Sequence, residues 1–240
     1  MGATRRRTAS GRSTTLNRAI LTPLFAPMPE LPLAELELWL SRGTAALAGE
    51  LWLAFILVGV ILLDALQGER KQGLVAWTAA GLAILTAWDA LELLHLIPLR
   101  LESGLRLTGP ETTFFAGLVE MDALARLLHL MLDGVSLYSM VFLAGASVLG
   151  TPEKRRSEWL VLLLGLLLGG RLLAATEHGV MAFLTVELLS ICGYALTAYR
   201  RGALLTAEAA IKYLIYGAVS GALLIYGVSL LYGLTGTLHL

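Results

Sequence analysis

The sequence predicts an all-α integral membrane protein with about six transmembrane helices. Composition, charge and run length predict it together. Of 240 residues, 57% are hydrophobic and only 15% charged, where soluble domains carry roughly 25% charged residues. Mean hydropathy is +0.74. Six apolar runs approach or exceed the roughly 20 residues that cross a bilayer as a helix.

Residues 1–49 form an Arg/Ser/Thr- and Pro-rich N-terminal extension. Arg5, Arg6, Arg7, Arg12 and Arg18 all precede the first acid, Glu30. That pattern resembles a mitochondrial presequence; the plainer reading is a disordered bacterial tail or a start codon placed too early. Pro23, Pro27, Pro29 and Pro32 forbid a continuous helix there, and 33–48, with Trp39, suits a short interfacial helix. Residues 50–149 hold helices one to three, in the runs 51–66, 73–96 and 123–149. The first run is short and bracketed by Glu50 and Asp64. Residues 98–117, with Pro98, Gly104, Gly109 and Pro110, read as an irregular external loop. Residues 150–240 hold helices four to six, in the runs 159–175, 180–198 and 207–233. Gly165/Gly169 and Gly217/Gly221 have the spacing that lets helix backbones approach closely in lipid.

Short loops rich in Lys and Arg stay cytoplasmic. Loops 67–72, 150–158 and 200–206 carry seven such residues (Arg70, Lys71, Lys154, Arg155, Arg156, Arg200, Arg201); the opposite side carries three, Arg100, Arg106 and Arg171. The first set is expected in the cytoplasm and both termini outside.

Several functions are excluded. A formal net charge of zero gives no footprint for nucleic acid. The single cysteine, Cys192, forms no internal disulfide and no CxxC site. No phosphate-loop, dinucleotide or zinc-protease motif is present. The four histidines, His95, His129, His178 and His239, raise the question of a b-type haem held between two spans; with His178 starting a span and His239 near the terminus, isolated polar residues are the better reading. No cofactor and no metal are expected in this chain.

The charges inside the apolar runs carry the chemistry, because an ionisable group in lipid is costly and usually lines a polar path or an interface. Glu187 lies near the middle of the fifth run with no basic residue within four positions. It needs a partner on another helix or stays protonated, and desolvation favours the neutral acid. Lys212, 25 residues later, is open to two readings. It is either a channel residue or half of an i,i+4 pair with Glu208, snorkelling to the surface. Asp122, Arg126, His129 and Asp133, spaced 4, 3 and 4, share one face of the third helix. They form either a polar stripe toward a partner helix or a local neutralisation; Asp122–Arg126 suits the second and the deeper Asp133 the first.

The stretch from Ser157 to Leu238, "SEWLVLLLGLLLGGRLLAATEHGVMAFLTVELLSICGYALTAYRRGALLTAEAAIKYLIYGAVSGALLIYGVSLLYGLTGTL", resembles the N subunit of respiratory complex I, NADH:quinone oxidoreductase, an antiporter-like subunit. "DALARLLH" at 122–129 resembles the family's third helix, and residues 1–50 match nothing in it. The resemblance implies the N-terminal six-helix part of an antiporter-like unit. It places Glu187 on the fifth-helix glutamate, Lys212 on the sixth-helix lysine in an "EA--KY" setting, and His178 on a histidine nine residues before the glutamate. Glu187 and Lys212 are then the proton-translocation axis, with Asp133 and His178 secondary. This chain departs from the family in three ways: "SICGYAL" replaces "SLPLYAL", Arg171 interrupts the fourth span, and about eight further helices do not follow Leu240. The implied function is a membrane-arm subunit, or a fragment of a split subunit, contributing to proton translocation coupled to quinone reduction. It is not catalytic alone. The implied partners are lipid and other complex I membrane subunits, including a chain with the missing helices, in the bacterial inner membrane or alternatively the mitochondrial one. The alternatives are a cation/proton antiporter or membrane-bound hydrogenase module, carrying H⁺ or Na⁺, and a non-catalytic assembly or scaffold protein.

Overall fold

This computed structural model describes residues 43–44, 46–67, 73–103, 113–115, 117–145, 156–199 and 204–239. The N-terminal extension up to residue 42 and most of the loops 67–72, 150–158 and 200–206 lie outside the described residues. So do residues 33–42 of the expected interfacial helix, Trp39 included.

Among the described residues, six long helices follow one another: α1 (Ala48–Gln67), α2 (Leu74–Ser103), α3 (Ala123–Gly145), α4 (Arg156–Ala174), α5 (Gly179–Thr197) and α6 (Leu204–Thr235). Each contains a stretch long and apolar enough to cross a membrane, and the chain is a multi-pass membrane protein. Several helices begin about three residues earlier than their apolar runs, and two boundaries bear on the site. Helix α1 begins before Glu50 and draws that acid into the span. Helix α2 runs on through Pro98 to Ser103, since a proline forfeits one backbone bond without always stopping a helix.

The expected irregular loop also contains a short antiparallel pair, β1 (Thr113–Phe114) with β2 (Val119–Glu120). Its turn uses left-handed backbone at Phe115 (φ 54°) and Gly117 (φ 85°). This hairpin is tied to the α4–α5 connection: the Glu120 N–H donates to the Ala175 carbonyl (2.7 Å), and the Thr176 hydroxyl donates to the Leu118 carbonyl (2.8 Å). The C-terminal segment joins them, with Gly179 N–H donating to Leu238 O (2.7 Å) and His178 paired with His239 in an antiparallel bridge. This side of the molecule is the hairpin end.

Helices α1 to α4 pack as a bundle, α1 against α2 and α4, and α3 against α2 and α4. Leu53, Ile56, Val60, Leu82, Leu85, Met140, Leu160 and Leu164 form its core. Helix α5 leans on α4, and α6 leans on α5. Each paired-glycine face receives α5 side chains. Gly165 and Gly169 face Cys192 and Leu188/Leu189, while Gly217 and Gly221 face Tyr194 and Glu187.

Candidate functional site

At the hairpin end of the α1–α4 bundle, one guanidinium gathers three carboxylates from three different helices. Arg171, in the last turn of α4, is 1% exposed. Its Nε donates to Glu50 Oε1 on α1 (3.3 Å), and its Nη1 donates to Asp89 Oδ2 on α2 (2.5 Å) and to Asp133 Oδ1 and Oδ2 on α3 (3.1 and 3.0 Å). His129 Nε2 lies 2.9 Å from the Arg171 carbonyl oxygen, and its Nδ1 is 3.6 Å from Glu50 Oε1. Gly49 makes the cluster possible on the α1 side, because a side chain there would occupy the place of Arg171 Nη2. Toward the hairpin, Arg126 pairs with Glu92, both partly exposed. Asp122 accepts the Ala125 N–H (2.6 Å) and caps α3.

The structure divides the residues singled out from sequence. Asp133 and His129 are buried in the cluster, so the deep half of the α3 stripe faces partner helices. Arg126 reaches across to α2 rather than back to Asp122. Glu187 is half-buried, directed at Gly221 of α6, and among the described residues it has no ion-pair partner. Lys212 pairs with Glu208 one turn before it, and both are exposed. Glu187 and Lys212 are not brought together here. His178 caps α5 by backbone alone, and its buried Nδ1 has no hydrogen-bond partner. Glu120, Glu177 and His239 place ligand-type atoms within 4.8 Å of one another at the hairpin end, where Glu177 and His239 form an ion pair at 3.7 Å.

Sequence reasoning missed three of the five cluster members. The sequence marks Glu50 only as a span boundary and Arg171 only as an outer-side cation and a break in the fourth span, and its reading leaves Asp89 out. The signal that exposes Glu187, charge inside a membrane-length run, applies equally to Asp89 and Arg171. Only the packing of four helices shows that they meet.

Over residues 177–240 the chain matches the family described as "NADH:quinone oxidoreductase/Mrp antiporter, TM". It is 30% identical over 199 residues to NADH-quinone oxidoreductase subunit N 2 of Chloroherpeton thalassium, covering 82% of this chain and 36% of that one. It is 33% identical over 221 residues to subunit N of Xanthomonas euvesicatoria pv. vesicatoria, covering 91% and 39%. The similarity therefore extends well upstream of Ser157, and the second alignment enters the first 49 residues. Among solved structures, a chain of respiratory complex I from Thermus thermophilus with bound aureothin superposes with TM-score 0.62 at 29% identity, over 80% of this chain and 38% of that one. A chain of the membrane-bound sulfane sulfur reductase, an archaeal respiratory membrane complex, shares the fold at TM-score 0.63 and 23% identity. This chain spans a little over a third of the length of these relatives. The chain is thus similar to the N-terminal third or so of antiporter-like membrane subunits such as subunit N of NADH:quinone oxidoreductase.

Proposed function

We propose that this chain is a membrane-arm subunit, or part of a split subunit, of an NADH:quinone oxidoreductase, contributing to proton translocation coupled to quinone reduction. The observation that carries the reading is Glu187. It sits mid-helix on α5, half-buried against Gly221, with no counter-charge among the described residues, which is where a carboxyl group able to take and release a proton is expected. Lys212 is the second axis residue; its pairing with Glu208 on an exposed face leaves it able to exchange partners when another helix packs there. Asp133 and His178 are secondary sites. Helix α6 is almost wholly exposed, with 6% of its span buried, a surface for the helices that complete the fold in longer relatives, whichever polypeptide carries them. The partners are lipid and other membrane subunits, in the bacterial inner membrane. We assign no redox cofactor to this chain; among the described histidine side chains, His129 is engaged by the Arg171 carbonyl, and His178 and His239 are joined by a backbone bridge.

The test compares Glu187→Gln with Glu208→Gln in the assembled complex. The amide keeps size and much of the hydrogen bonding but cannot ionise. Proton pumping coupled to NADH oxidation in membrane vesicles is expected to fall in Glu187→Gln and stay near normal in Glu208→Gln, at equal complex content on native gels. Equal, near-normal pumping in both would favour a scaffold role.

A further inference from the structure

We infer that the α1–α4 bundle contains a buried proton-binding site, with an exchangeable proton carried by Glu50 or by His129. It is separate from Glu187 and Lys212 and does not depend on what the chain assembles with.

The first argument is charge. Glu50, Asp89 and Asp133 surround one cation, Arg171, and all four side chains are at least nine-tenths buried. Among the described residues, Arg126, three positions before His129 on α3, is paired with Glu92. With every carboxyl ionised the cluster would carry two negative charges away from water, a state avoided by neutralisation. Two protons make it neutral.

The second argument locates one of them. The Arg171 carbonyl accepts the Ala175 N–H (3.2 Å), and a carbonyl can only accept, so His129 Nε2 at 2.9 Å must carry a hydrogen and donate it. A neutral His129 then presents a bare lone pair at Nδ1. That nitrogen lies 3.6 Å from Glu50 Oε1, so an ionised Glu50 would set two acceptors against each other. A proton on either partner removes the conflict, giving imidazolium with carboxylate or imidazole with carboxylic acid. Glu50 Oε2 is buried without a hydrogen-bond partner, which further disfavours a full charge on this carboxylate. Asp89 and Asp133, converging on one Nη1, share the second proton.

The third argument is access. Along one face of α3 the polar residues run Asp122, Arg126, His129, Asp133, Ser136, from the capped surface turn to the buried interior, and Met140, fully buried in the apolar core, ends the series. Asp133 lies about 15 Å along α3 from its start, at about 1.5 Å per residue. The polar face of α3 thus leads from the partly exposed Arg126–Glu92 pair at the hairpin end to the pair, and it ends at Ser136. This is a dead-end loading site, not a channel.

The full chain in lipid vesicles tests this with ¹⁵N-labelled histidine and infrared spectroscopy at neutral pH. His129 is assigned in a variant lacking the other three histidines. The expected result is one proton on the pair. Either both His129 nitrogens are protonated, or His129 is the neutral Nε2–H tautomer alongside a protonated-carboxyl band that shifts in D₂O. That band is lost in Glu50→Gln and kept in Glu187→Gln. Should Glu50→Gln not fold, ¹³C-carboxyl glutamate in Glu187→Gln identifies the band instead. A bare Nδ1 on His129 with no such glutamate band overturns the proposal, as does a band that D₂O leaves unmoved. Neither measurement involves a partner complex, so failure here leaves the reading of Glu187 untouched.

Discussion

Arg171 and Lys212 show how differently two cations in one membrane protein can be placed. Lys212 has a partner one turn away on its own helix and an exposed side chain; its pair contributes about 0.2–0.5 kcal/mol. Arg171 has partners on three other helices and no exposure to speak of. Removing it leaves the cluster's one net negative charge buried without a counter-charge, a loss of about 3–5 kcal/mol. Arg171→Leu should therefore lower the unfolding free energy in detergent by that order, while Lys212→Gln barely moves it. Acidification should recover part of the Arg171→Leu deficit, because a third proton neutralises the charge that Arg171 no longer balances; an equal deficit at all pH values would mean that the lost packing of the long side chain is responsible. The individual charges were legible in the sequence wherever a run of apolar residues made them conspicuous, as at Glu187 and Asp133. Their partners were not. Which acid meets Arg171 depends on the rotation of four helices about their axes, and no local pattern specifies that. The Asp122–Arg126 spacing suggested a pair that the structure replaces with two others, the α3 cap and Arg126–Glu92.

At the level of elements, α5 is a wedge whose two faces are received by glycines on its neighbours. The paired-glycine spacing on α4 and α6 was readable, but that both faces serve the same helix was not, since spacing names a surface and not its occupant. The consequence is a sign difference within α6. A Cβ at Gly217 would collide with the Tyr194 hydroxyl and ring, whose edge already rests on Tyr213 (centroids 4.7 Å apart). A Cβ at Gly227 meets nothing within 4 Å. Gly217→Ala should cost about 1–3 kcal/mol through overpacking, and Gly227→Ala should gain up to about 1 kcal/mol from helix propensity. Circular dichroism of both variants under graded SDS denaturation reads the two signs directly. Two stabilising or two neutral changes would mean that α5 and α6 are not in contact at this register.

For the molecule as a whole, the six spans were readable because length and hydropathy suffice for them, and the main misplacement was one residue, which bears on orientation. Arg171 was counted among the outer basic residues; in the structure it is inside the bundle, bonded to carboxylates. It therefore drops out of the comparison that sets topology, which concerns cations in short loops. The balance becomes seven on the side of loops 67–72, 150–158 and 200–206 against two, Arg100 and Arg106. The hairpin end should consequently face away from the cytoplasm, so that the proton site of α1–α4 opens to the outer compartment. Single cysteines introduced into a Cys192→Ala chain, one in 150–158 and one in 104–112, settle this with a membrane-impermeant thiol reagent. In intact cells the 104–112 position should react and the 150–158 position should react only after permeabilisation. The opposite pattern would invert the molecule and turn the buried Glu50–His129 pair toward the cytoplasm.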